Sequence, residues 1–187
     1  LGQMQASNGG FGFWRATGET YPYLTVHVMH ALARAKDKGY AVPQELLDRG
    51  KDYLKRIEGY YTPEYAKETR WAISSYALYV RRLFGEIDVD KAKSIITQAG
   101  GVEKLNLETD AWLLAALAGN ANASAERAAI VKHALNNVSE TAGAANFTSS
   151  YADGAHLVLA SDRRVDAVML DALSAEQPSL DLIPKIV

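Results

Sequence analysis

The sequence predicts an all-α domain of about four helix pairs, one helix of each pair buried and the other amphipathic. Three observations lead there. First, the stretch Asp110-Ala111-Trp112-Leu113-Leu114-Ala115-Ala116-Leu117 is apolar nearly all the way round a helix, so a helix carrying it is buried rather than half exposed. Second, its form recurs. Asp166-Ala167-Val168-Met169-Leu170-Asp171-Ala172-Leu173 matches it closely, Thr25-Val26-His27-Val28-Met29-His30-Ala31-Leu32 more loosely, and Trp71-Ala72-Ile73-Ser74-Ser75-Tyr76-Ala77-Leu78 keeps the terminal Ala-Leu. The copies lie roughly 40 to 55 residues apart, a repeat length of helix-pair arrays. Third, glycine and proline punctuate the chain between the copies.

Residues 1–22 read as a compact loop around Asn8-Gly9-Gly10-Phe11-Gly12-Phe13-Trp14 and Thr17-Gly18-Glu19-Thr20-Tyr21-Pro22. The glycines permit close backbone approach, and Phe11, Phe13 and Trp14 are apolar anchors. The first buried helix is expected over 23–38, stopped by Gly39, and its partner over 44–56, opened by Pro43. The second pair spans 64–83 and, from an Asp88 cap, up to about residue 98. The third spans 108–117 and 124–138, with Ser124 as cap and Ala128, Val131 and Leu135 as the apolar stripe. Residues 141–163 lack a helical period and read as an excursion with a short strand or two. The fourth buried helix covers 164–175 and ends at Pro178, and residues 180–187 read as an eighth helix cut short. Pairs of this kind set in a ring would place the buried helices inside and parallel. A stack of them leaves its end faces open unless capped or closed.

Composition narrows the function. The 187 residues, 48% hydrophobic, suit a single domain with a real core. With 20 basic and 22 acidic residues there is no sign of a nucleic-acid partner, and no apolar run approaches the roughly 20 residues that span a membrane, so direct membrane insertion is not expected. Cysteine is absent, which excludes disulfides, cysteine nucleophiles, thiolate metal sites and any thioester formed by this segment itself. The start at Leu1 and the uncapped end suggest a fragment of a longer protein.

Gln5, the Asn8–Trp14 run, Tyr23-Leu24-Thr25-Val26-His27-Val28 and Lys38-Gly39-Tyr40-Ala41-Val42-Pro43 resemble the thioester domain of alpha-2-macroglobulin-like proteins, most closely the large bacterial members. Ser161-Asp162-Arg163-Arg164-Val165-Asp166-Ala167 and Asp181-Leu182-Ile183-Pro184-Lys185 resemble the same group. The resemblance implies an incomplete α/α toroid, the architecture of terpenoid cyclases and protein prenyltransferases. It also implies a parent that traps a broad range of proteases through an internal cysteinyl-glutamyl thioester, located in the periplasm or outside the cell at the envelope. The Cys-Gly-Glu-Gln type motif has no counterpart here, so this segment is expected to be scaffold around the thioester and not an enzyme. No catalytic, cofactor-binding or metal-binding residue is carried over, and no cofactor is implied. The expected partners are proteases, through the full-length protein, and neighbouring domains of the same chain. Phe11, Phe13 and Trp14 are the candidates for shielding the thioester or docking a neighbouring domain, against plain anchoring of the loop.

Other readings compete. His27 and His30, at i and i+3, are spaced to share a metal, but no third ligand is near in sequence, and hydrogen bonding at the inner rim is the stronger expectation. His133 and His156 read as structural. Asp110 and Asp166 head repeated helices, where capping outweighs an acid/base pair. Trp71 and Trp112 read as core. Asn122, Asn137 and Asn146 begin glycosylation sequons, which polar loops produce by chance. The alternatives for the whole are a thioester-free interaction scaffold and a toroid enzyme such as a polysaccharide lyase, glycosidase or terpene cyclase. The enzyme predicts a deep central pocket with facing ionisable groups; the scaffold predicts an exposed apolar patch.

Overall fold

The computed structural model describes residues 2–14, 18–151 and 154–186. Among the described residues seven α-helices carry the fold: α1 (Pro22–Asp37), α2 (Gln44–Lys55), α3 (Lys67–Leu83), α4 (Val89–Ala99), α5 (Leu107–Leu117), α6 (Ser124–Asn136) and α7 (Asp162–Glu176). Two short strands pair antiparallel, β1 (Ser139–Glu140) just before the predicted excursion and β2 (Ala145–Asn146) within it. The parts of the predicted loop and excursion at 15–17 and 152–153, and residues 1 and 187, lie outside the described residues.

The helices form two layers. In the inner layer α1 packs on α3, α3 on α5 and α5 on α7, while α2, α4 and α6 pack against them from outside. All eleven residues of α5 are buried, as its unbroken apolar character requires. The inner helices run parallel. At their N-terminal ends Glu108 of α5 binds Arg164 of α7, whose guanidinium lies 5.4 Å from the ring centre of Tyr23 in α1. At the other end Arg82 of α3 donates to the carbonyls of Ala115 and Ala118 that close α5, 2.5 and 2.9 Å away. α1 and α2 approach closely at Gly50, where a Cβ would lie 2.1 Å from Met29 Sδ.

Caps set the boundaries of α4 and the start of α5. Asp88 accepts from Lys91 N at 3.1 Å and Asn106 from Thr109 N at 2.8 Å. Gly100, at φ 87°, ends α4 in the left-handed region.

Several expectations need correction. α3 starts at Lys67, not at residue 64, because Thr62–Tyr65 turns back on itself and Arg70 holds the Tyr65 carbonyl at 2.7 Å. Ser124 makes no cap bond, since Ala123 occupies the cap position. The buried stripe of α6 is Ile130, Val131 and Ala134 rather than Ala128, Val131 and Leu135. Leu135 is 37% exposed, and Arg127 turns in to meet Glu176 of α7 instead. The supposed eighth helix is a single 3-10 turn, Ile183–Lys185, after which Ile186 bridges Ala145 in parallel at the edge of β2. Trp112 is core, whereas Trp71 is only partly buried.

Candidate functional site

The glycine loop is a closed structure seated on α1 and α2. Gln5 and Phe11 bridge across it, and the Gln5 side chain, 6% exposed, donates to the carbonyls of Gly9 and Leu46 at 2.9 and 3.0 Å. Gly9 sits at φ 89°, and a Cβ there would lie 2.2 Å from the Arg49 carbonyl oxygen. Phe11 N donates to Thr25 Oγ1 at 2.9 Å, and Asn8 donates to Thr20 Oγ1 at 3.0 Å. These bonds explain why polar Gln5 and Thr25 are buried.

The three aromatic candidates separate. Phe11 is fully buried and pins the loop. Phe13 is 49% exposed with its ring 4.8 Å from that of Tyr21, and Trp14 is 86% exposed. Phe13, Tyr21, Tyr23, Leu24, Tyr65, His156, Leu157 and Leu159 line an apolar hollow of about 190 Å³ beside the loop. Leu159, 55% exposed, stands at its rim with φ 48°.

Behind the hollow, at the N-terminal ends of the inner helices, Glu108 is the hub of a buried polar cluster. Its carboxylate receives Arg164 Nε at 2.7 Å and Nη2 at 3.0 Å, Trp112 Nε1 at 3.2 Å, and the Tyr151 hydroxyl. Burial raises the pKa of Tyr23, and the Arg164 charge over its ring opposes that rise.

A second cluster lies on the open face of the inner layer. Both imidazoles of α1 meet one hydroxyl of α3: His27 Nδ1 is 3.2 Å and His30 Nδ1 2.8 Å from Tyr76 Oη. The hydrogen-bonding expectation for these histidines is therefore met by a tyrosine that the pattern did not single out. Arg34 donates to His30 Nε2 at 3.2 Å, so a neutral His30 carries its proton on Nδ1 and donates it to Tyr76. The Tyr76 hydroxyl then donates to His27 Nδ1. Burial, with the charge of Arg34, pulls the His30 pKa down to about 4. Arg34 continues to the Tyr79 hydroxyl at 2.6 Å, and Tyr79 donates to Asp171 at 3.3 Å. Trp112 stacks on Tyr76 with ring centres 4.1 Å apart.

Neither Asp110 nor Asp166 is a cap, contrary to expectation. Asp110 bonds His133 of α6, and Asp166 accepts from Phe147 N at 2.6 Å, tying β2 and its following residue to α7. Separate partners leave them no shared chemistry. His156 lines the hollow. Among the described residues no set of three metal-ligating side chains comes together. In the sequence Glu108 stands out only as a helix start, and Arg164 as a helix start within the Ser161–Ala167 run. The signal that marks Glu108 is Trp112 four residues on, an indole donor one helical turn away in an otherwise mostly apolar stretch.

No family model matches the chain. Escherichia coli alpha-2-macroglobulin is 39% identical to it over a stretch that takes in 42% of this chain and 5% of that protein. The crystal structure of Salmonella alpha-2-macroglobulin reacted with methylamine overlays on 98% of this chain and 12% of its own, with a TM-score of 0.79 and 24% identity. Trypsin-activated alpha-2-macroglobulin from E. coli gives a TM-score of 0.74 at 25% identity, again over 98% of this chain and 12% of its own. The chain thus spans a small fraction of the relatives it matches.

Proposed function

We propose that this chain, homologous to a segment of the bacterial alpha-2-macroglobulins, is scaffold around the thioester site of a broad-range protease trap. In this reading it forms part of an α/α toroid domain in a larger multidomain protein and contributes neither the thioester cysteine nor a catalytic group. The observation that carries the reading is the overlay of 98% of the chain on a protein whose solved form had reacted with methylamine, a small amine nucleophile. Proteases enter as partners through the full-length protein, in keeping with the trypsin-activated state of the E. coli relative. Neighbouring domains of the same parent are the other partners. A periplasmic or extracellular position at the cell envelope follows from the family alone.

Within this role Phe11 is the anchor, and Phe13 with Trp14 is the working surface. A large exposed indole on a loop held by buried hydrogen bonds suits covering a reactive group or receiving a neighbouring domain. The test is made on the intact parent protein. A Cys-x-Glu-Gln motif upstream, with methylamine incorporated and a thiol released in equal amounts, is the expected result. If motif and reaction are both missing, the domain is a thioester-free scaffold or a toroid enzyme. Trp14→Ala is expected to speed amine incorporation about tenfold, equivalent to ~1.4 kcal/mol of lost protection. An unchanged rate in a folded variant returns Trp14 to an ordinary surface role.

A further inference from the structure

We propose that Asp110 and His133 form a one-proton clasp between α5 and α6, holding the outer helix on the inner one while the pair keeps its proton and loosening when the proton is lost. Asp110 has 0% exposure, and its Oδ2 lies 2.7 Å from His133 Nδ1. Its other oxygen, Oδ1, is buried with no hydrogen-bond partner among the described residues. The His133 side chain is 14% exposed and borders an open cleft of about 360 Å³, which gives the proton a route to water.

With one shared proton the pair is either carboxylate and imidazolium or carboxylic acid and neutral imidazole. Both arrangements are neutral as a unit and both keep the short bond. Losing the proton leaves a carboxylate out of water with no counter-charge and one oxygen unsatisfied, which is costly. The surrounding charges do little to relieve it. Glu103, on the 3-10 turn Val102–Lys104, adds negative charge, while Lys104 and Glu68 of α3 line the cleft with opposite signs. Glu108, earlier on α5, is already matched by Arg164 of α7, and Lys93 of α4 is spent on Glu126 of α6. Burial accordingly raises the Asp110 pKa to about 8, with Glu103 adding to the rise.

The sign follows from counting protons. An unfolded aspartate and histidine titrate near 3.9 and about 6.5. Between about 6.5 and 8 the folded pair holds a proton that the unfolded chain has released, so stability falls as pH rises through that window. Below it both states hold one proton, and the contribution is flat down to the carboxylate range.

The experiment is urea unfolding of the chain from pH 6 to 9, beside Asp110→Asn, which keeps the size and an acceptor oxygen for the imidazole N–H. The wild-type unfolding constant is expected to rise by up to tenfold per pH unit within the window, relative to the variant, and α6 amides to exchange correspondingly faster after correction for intrinsic rates. Equal pH slopes in the two proteins overturn the clasp. Should Asp110→Asn fail to fold, the wild type still decides through the ring nitrogen shifts of His133. A titration sharing its midpoint with α6 exchange supports the clasp, and one independent of α6 exchange overturns it.

Discussion

Glu108 accepts four hydrogen bonds on two oxygens from three residues, with only 2% exposure. Glu108→Ala would strand the Arg164 guanidinium in a half-buried place, and the expected loss is about 3 kcal/mol by chemical denaturation. Trp112→Ala, in the core beneath it, should cost about 3–5 kcal/mol, and Trp71→Ala clearly less because Trp71 is only partly buried. His30 predicts an acid-side dependence. Its pKa lies near 4 in the folded chain and about 6.5 when unfolded, so the unfolded state takes up the proton first and stability drops as pH falls from about 6.5 towards 4. The loss reaches up to about 3 kcal/mol and should vanish in His30→Asn, read by thermal melts at matched ionic strength. Single residues were the least legible scale. That His27 and His30 would be hydrogen-bonded was foreseeable from their place on the first repeated helix. That Asp110 and Asp166 would bond other elements was not, because the helices begin three to four residues earlier than their octapeptides.

Among the elements, the glycine loop is the most exacting. Gly9→Ala places a Cβ against the Arg49 backbone in a left-handed conformation, so both strain and clash oppose it. A cost on the order of 3 kcal/mol is expected, with loosening of residues 5–11 visible by hydrogen exchange. Asn106→Ala removes the cap of α5 and should cost about 1 kcal/mol. The repeated octapeptides made the inner helices readable to within a few residues, since an all-apolar stretch has one possible destination. The outer helix α6 was harder. Ala123, Arg127, Ile130 and Ala134 lie on one face as regularly as Ala128, Val131 and Leu135 do on another, and the ion pair of Arg127 with Glu176 disguises the true one as polar. The end of the chain misled for a related reason. Leu182 and Ile186 are apolar at helical spacing but are buried by a turn and a bridge to β2, not by a helix.

At the scale of the whole molecule, the excursion and the C-terminal segment complete each other. Ile186 bridges Ala145, and Lys185 meets Glu140. Removing residues 177–187 should therefore release the β1–β2 hairpin to rapid hydrogen exchange while leaving α1 to α5 protected. Unchanged protection of the hairpin would show that Asp166 alone holds it. The two-layer plan, with its parallel inner helices, was readable from the repeat because identical partners on a common period have to meet the core in the same sense. Parallel alignment also has an electrical consequence. Each helix carries roughly half a positive charge at its N-terminus, and in the inner layer these add at one end instead of cancelling between neighbours. Short connections turn the outer helices the opposite way, so from afar the two layers nearly annul each other's field. Close to the inner N-termini the annulment fails, and the chain places acids in the first turns of three of those helices: Glu68, Glu108 and Asp162. Glu108 therefore sits at the positive pole of a small battery of aligned dipoles, where its buried carboxylate group also meets the Arg164 guanidinium.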